Sequence, residues 1–247
     1  MPDLLPWAWA LLALCAVVVG ISKTALPGAN TISIALFAAI LPARTSTGAM
    51  LLLLIVGDVF ALLTYRRHAH WPTLLRLAPA VLVGLALGAG FLLVADNTVV
   101  KRVIGVILLI MVVITLWRRR VASTGTGDTP HNRFVTVGYG AMGGFTTMVA
   151  NAGGPVMSMY FLAMRTPVMV FLGTSAWFFA IVNWTKLPVM VGLGLIDVPV
   201  LLLDLTLVPL VVAGAFAGRW LAKRLDQRLF DRIVTILTVV GALYLLV

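Results

Sequence analysis

The chain of 247 residues contains no glutamate at all, and its eight acidic residues are all aspartate. Charged residues make up 11% of it, against roughly 25% in an average soluble domain. It has a single cysteine, Cys15, so an internal disulfide is excluded and redox compartment cannot be read from cysteine. Three scattered histidines and that one thiol form no metal-ligand spacing, so no metal and no cofactor is expected. Enzyme signatures are missing too. There is no H-E-x-x-H, no G-x-S-x-G and no Walker-type phosphate loop. The expectation is a protein that is not an enzyme, whose transport activity, if any, is passive or coupled to an ion gradient. The period-2 alternation of a membrane barrel strand is absent as well.

What fills the chain is apolar sequence. Hydrophobic residues make up 62% of it, and the mean hydropathy is +1.10. A soluble fold of this size cannot hide so much apolar surface, so lipid is expected to be its solvent. The net charge of +10 raises nucleic acid as a partner, but the basic residues sit at the ends of apolar runs and no separate basic domain exists, so none is expected. The first segment, Leu4–Gly20, lacks a basic leader and is read as retained, not as a signal peptide.

Ten apolar segments are visible: about 6–22, 29–41, 45–65, 73–94 and 99–117, then about 134–150, 155–164, 167–189, 198–218 and 229–247. A spanning helix needs about 20 residues. The second segment of each half, 29–41 and 155–164, is too short to cross comfortably. Helix-breaking sequence precedes both: Gly20 through Asn30 in the first half, and Asn151-Ala-Gly-Gly-Pro155 in the second. Broken backbone at membrane depth is tolerated only against protein or a water-filled cavity.

The halves also match. Pro79, Gly84, Gly88 and Arg102 recur as Pro209, Gly214, Gly218 and Arg232, all offset by 130, while Gly28, Pro42 and Gly48 recur as Gly153, Pro167 and Gly173, offset by 125. Assigning the loops 66–76, 118–133, 165–166 and 219–232 to the cytoplasm places 13 of the 18 basic residues there; Arg44, Lys101 and Arg102 face the other side. By the positive-inside rule this sets the orientation, with both termini outside and the repeats inverted. The expected fold is therefore an all-α integral membrane bundle of two inverted repeats, 1–117 and 134–247, joined by a cytoplasmic linker at 118–133. Each repeat opens with a broken helix pair, either re-entrant or crossing twice.

The breaks are the candidate site. A half-helix that starts inside the membrane presents unpaired N–H groups and the positive end of its dipole, which suits an anion. Its flanks supply Ser22, Lys23, Thr24, Asn30 and Thr31 on one side, and Thr147, Asn151, Gly153 and Gly154 on the other. Asp58 aligns with Asn183 across the repeat and is the candidate for proton coupling, since an intramembrane carboxylate is a proton-relay or pairing candidate by default. Lys186 lies close to an external end and is read as snorkelling. Asp204 is read as a helix-start residue near the external surface. His68 and His70 are read as solvated, and the glycines spaced by four in the fourth and ninth segments as helix contacts.

The two openings, the helix start at Thr45–Met50 and the paired Pro-x4-Gly-x3-Gly helices resemble, in order and spacing over essentially the whole chain, the TauE/SafE family of sulfite and organosulfonate exporters, also called the toluene sulfonate uptake permease family. That resemblance implies a small secondary carrier of sulfur-containing anions (sulfite, thiosulfate or sulfonates) in a bacterial plasma membrane. A passive anion channel, or a carrier of another small anion such as a carboxylate, is the alternative. Oligomeric state is silent in the sequence.

Overall fold

The computed structural model describes residues 4–25, 30–121, 133–163 and 167–221. Every regular element in them is helical: α1 (Pro6–Thr24), α2 (Asn30–Ile40), α3 (Ala43–Tyr65) followed by a 3₁₀ turn (Arg66–His68), α4 (Trp71–Val94), α5 (Asn97–Val121), α6 (Arg133–Ala150), α7 (Gly153–Ala163), α8 (Val168–Gly192) and α9 (Val198–Leu221). The expected tenth segment, most of the expected linker, Gly28 and Arg232 lie outside the described residues. α5 runs into the arginine triplet Arg118–Arg120, which therefore belongs to the helix and not to the connection. Pro6–Thr24, Ala43–His68, Trp71–Val94 and Val198–Trp220 are long and apolar enough to cross a membrane. The chain is an all-α membrane bundle.

α3 and α8 run antiparallel through its middle. Gly48 in α3 lies against Leu195, just past the end of α8, while Gly173 in α8 lies against Tyr65 and His68 at the far end of α3. Two further pairs flank this centre, α1 on α9 and α4 on α6. Both depend on glycine. A Cβ on Gly20 would collide with the Val211 carbonyl, and one on Gly214 with the Val17 carbonyl. One on Gly84 would collide with the Ala141 carbonyl, and one on Gly144 with the Val81 carbonyl. Lipid supplies no hydrophobic drive between helices, so close backbone approach of this kind is what holds them.

α2 and α7 fold back along the helices before them. Ser33 Oγ donates to the Cys15 carbonyl at 3.2 Å, and Met157 packs on Gly143. Each has 11 residues, about 16 Å of rise, which is half a hydrocarbon core. The helix ends collect into two groups. At one end, Arg44 Nη1 donates to the Ala95 carbonyl at 2.7 Å and Leu195 meets Gly48. At the other, Trp177 Nε1 donates to the Arg66 carbonyl at 3.0 Å and the Thr174 hydroxyl accepts from the His70 N–H at 2.9 Å.

Two of the expectations for charged residues need correction. Asp204 is not a helix-start residue. α9 begins at Val198, with Asp197 Oδ1 accepting from the Val200 N–H at 2.9 Å, and Asp204 is buried more than a turn inside, where neither carboxylate oxygen has a partner among the described residues. Lys186 does not snorkel. It is 1% exposed, in the interior of α8.

Candidate functional site

Both helix interruptions exist, and they are tighter than the sequence suggested. α1 continues through Gly20 to Thr24, where the Tyr65 hydroxyl donates to the Thr24 carbonyl at 2.8 Å and occupies one of the helix's open acceptors. α2 then starts at Asn30. The second interruption is only Asn151 and Ala152. Asn151 takes a left-handed conformation, φ 53°, which asparagine tolerates better than most residues. Its N–H still donates to the Thr147 carbonyl, at 3.1 Å, and the Ala152 N–H reaches back to the Thr146 carbonyl, also at 3.1 Å. α7 follows with Pro155 in its first turn, where the missing N–H costs nothing.

Between the interruptions lies a cavity of about 50 Å³, enough for a few waters. It runs along α3 from Leu54 to Ala61 and along α8 from Leu172 to Asn183, and the first turns of α2 and α7 open on it. Of the expected site residues, Ser22, Lys23, Asn30, Thr31, Asp58, Thr147, Asn151 and Gly154 line it. Thr24 and Gly153 do not. The Thr24 hydroxyl donates to the Ala215 carbonyl at 3.0 Å, which ties α1 to α9. Gly153 packs on Thr147 and the Gly143 carbonyl, in the hairpin between α6 and α7.

Charge is concentrated here. Lys23 Nζ pairs with Asp58 Oδ1 and lies 4.9 Å from the centre of the Phe179 ring. Gly57 makes this possible, because a Cβ there would meet Lys23 Cγ at 2.7 Å. Asn183 Nδ2 donates to the other Asp58 oxygen at 2.6 Å. Lys186 Nζ donates to the Thr147 carbonyl at 2.5 Å and to Asn151 Oδ1 at 2.6 Å, while Asn151 Nδ2 donates to the Thr47 carbonyl at 2.9 Å. Two lysine amines and one carboxyl group therefore share the centre. Around the same cavity the acceptors Asn30 Oδ1 and Asn183 Oδ1 and the Ser175 hydroxyl are buried without a partner among the described residues, and such groups are costly unless water or a ligand of matching hydrogen-bond character satisfies them. No cluster of three metal-ligating side chains occurs among the described residues.

Sequence reading did not single out Ser175 and left Lys186 and Asn183 out of the site. Asn183 carried a signal, its alignment with Asp58. Ser175 carried none.

A model of the family described as Sulfite exporter TauE/SafE matches residues 12–245. The chain belongs to the TauE/SafE family. Comparison with curated proteins and with solved structures found no match. Membership makes this TauE/SafE protein a membrane transporter of sulfur anions such as sulfite.

Proposed function

We propose that this TauE/SafE protein is a secondary carrier that holds one small sulfur oxyanion or sulfonate in the cavity between its two helix interruptions, near the middle of the bilayer. One observation carries the reading. The cavity brings Lys23 together with the Ser175 hydroxyl, a buried donor without a partner among the described residues, and with the first turns of α2 and α7. In this reading Ser22, Asn30, Thr31, Thr147, Asn151 and the backbone of Gly154 orient the anion, Lys23 supplies charge, Asp58 couples proton movement, and Gly153 shapes the hairpin that presents Gly154. Thr24 acts from outside by fixing α1.

Reciprocal packing supports two inverted repeats, since the first helix of each half lies on the fourth helix of the other. The arginine distribution supports a bacterial plasma-membrane orientation with the arginine-rich end inside and both termini outside.

A carrier is favoured over a passive channel because two inverted repeats around a central site are the arrangement of many secondary transporters. A second pocket of about 10 Å³, lined by Ser46, Thr47 and Ile104, lies beyond Asn151. The test is uptake of labelled sulfite into proteoliposomes, with thiosulfate, taurine and acetate as competitors. Sulfite or a sulfonate should compete and acetate should not; the reverse would make the chain a carboxylate carrier. Asn30→Ala and Ser175→Ala should each weaken apparent affinity about tenfold, the loss expected for one hydrogen bond to a charged group. Unchanged affinity in both variants would refute the site.

A further inference from the structure

Lys23 and Lys186 both lie at the centre of the molecule, but their partners differ in kind. Lys23 is matched by the Asp58 carboxylate. Lys186 is buried more completely, and its two acceptors, the Thr147 carbonyl and Asn151 Oδ1, are neutral; it makes no ion pair among the described residues. An ammonium has three donors, and charged acceptors bind it about twice as strongly as neutral ones. Of the two lysines, Lys186 therefore gains more from an arriving anion.

Lys186 does not itself line the cavity; Asn151 stands between them. The same Asn151 lines the second pocket as well, with Ser46 and Thr47. Its Nδ2 is tied to the Thr47 carbonyl at 2.9 Å, and the Thr47 hydroxyl donates to the Val149 carbonyl at 3.1 Å. Asn151 and Ile34 thus both lie between the two volumes, and Asn151 is held from one side by Lys186 and from the other by α3.

We propose that Lys186 is the charge by which the cavity recognises its anion, and that Asn151 is the barrier that Lys186 releases when it does. The inference rests on the carrier reading above and adds to it a recognition residue and the route out. An oxyanion in the cavity draws the ammonium away from Asn151 Oδ1. Asn151 then keeps only its bond to Thr47, on a left-handed backbone position flanked by Gly153 and Gly154. Its side chain swings aside, and the anion passes toward Ser46 and the end of the bundle that carries Arg44. Without an anion the latch stays shut, so the carrier does not leak.

The experiment is efflux of labelled sulfite from preloaded proteoliposomes, with and without sulfite outside. Wild type should show efflux stimulated by outside sulfite and little without it. Asn151→Gly suits the left-handed backbone and removes the latch. Its efflux without outside sulfite should rise at least about tenfold and lose its stimulation, a change of about 1.4 kcal/mol or more in the barrier. Asn151→Asp instead gives Lys186 a carboxylate, so the anion must compete with it, and the apparent KM should rise about tenfold or more. Lys186→Gln should raise KM to a similar degree, and Lys186→Arg should restore it in part, which a merely structural role would not produce.

Stimulated efflux in wild type with a tight, normally stimulated Asn151→Gly variant overturns the latch alone. Unchanged KM in Asn151→Asp and Lys186→Gln overturns the recognition role, and does so even if Asn151→Gly fails to fold. Wild type that shows no stimulation overturns the carrier reading and the inference with it.

Discussion

Asp58 accepts from Lys23 on one oxygen and from Asn183 on the other, and it is 1% exposed. Removing one partner of such a pair leaves a charge buried without compensation, at a cost of about 3–5 kcal/mol. Lys23→Met should therefore lower thermal stability in detergent sharply, whereas Lys23→Met with Asp58→Asn should recover most of the loss. If the double variant melts no higher than the single one, the pair is not what Lys23 is for. The sequence aligned Asp58 with Asn183 at an offset of 125, but that they touch was not legible in it. Nor was the burial of Lys186. Its distance from an apparent segment end made it look interfacial, but α8 continues past Pro188 to Gly192, and what covers Lys186 is the broken end of α6, an element some forty residues away in sequence. Periodicity within one helix carries no information about a neighbour's carbonyl. Asp204 was misplaced for a different reason. Asp197 followed by Val-Pro is itself a helix-start signature, and reading it would have put Asp204 inside α9.

Segment by segment, the helices follow the apolar runs to within a few residues, because each crossing must satisfy its backbone internally and stops where charge, proline or glycine begins. The interruptions were legible for the same reason, although Gly20 belongs to a contact and not to a break. Its place in α1, against Val211 and Gly214, defines what glycine does in these elements. In α4 the point can be tested within a single helix. A Cβ on Gly84 would collide with the Ala141 backbone, while one on Gly90 would meet nothing within 4 Å. Gly84→Ala should destabilise by about 1–3 kcal/mol through overpacking. Gly90→Ala should be neutral, or stabilise by up to about 1 kcal/mol through helix propensity. Melting of the two variants in detergent separates these outcomes, and equal shifts would mean that α4 and α6 do not depend on close backbone contact.

For the molecule as a whole, the arrangement of charge and the arrangement of helices were reached separately and can be set against each other. The sequence placed Arg66, Arg67 and Arg76 on one side and Arg44, Lys101 and Arg102 on the other. In the structure Arg66 lies at the end where α3 stops and α8 begins, and Arg44 at the end where α4 stops and α5 begins. The proposed orientation puts the arginine-rich end inside. It has a consequence for two exposed positions, His68 in the 3₁₀ turn and Val198 at the start of α9. With the buried Cys15 replaced by alanine, His68→Cys and Val198→Cys are each the sole thiol of their chain. In intact cells a membrane-impermeant thiol reagent should label the thiol at position 198 and leave the one at 68 untouched until the membrane is permeabilised. The opposite pattern would reverse the topology, and labelling of both from outside would mean that the two helix ends share a face. Such sharing is incompatible with α3 and α8 crossing the bilayer antiparallel, and it would remove the physical basis for a transport cavity between them.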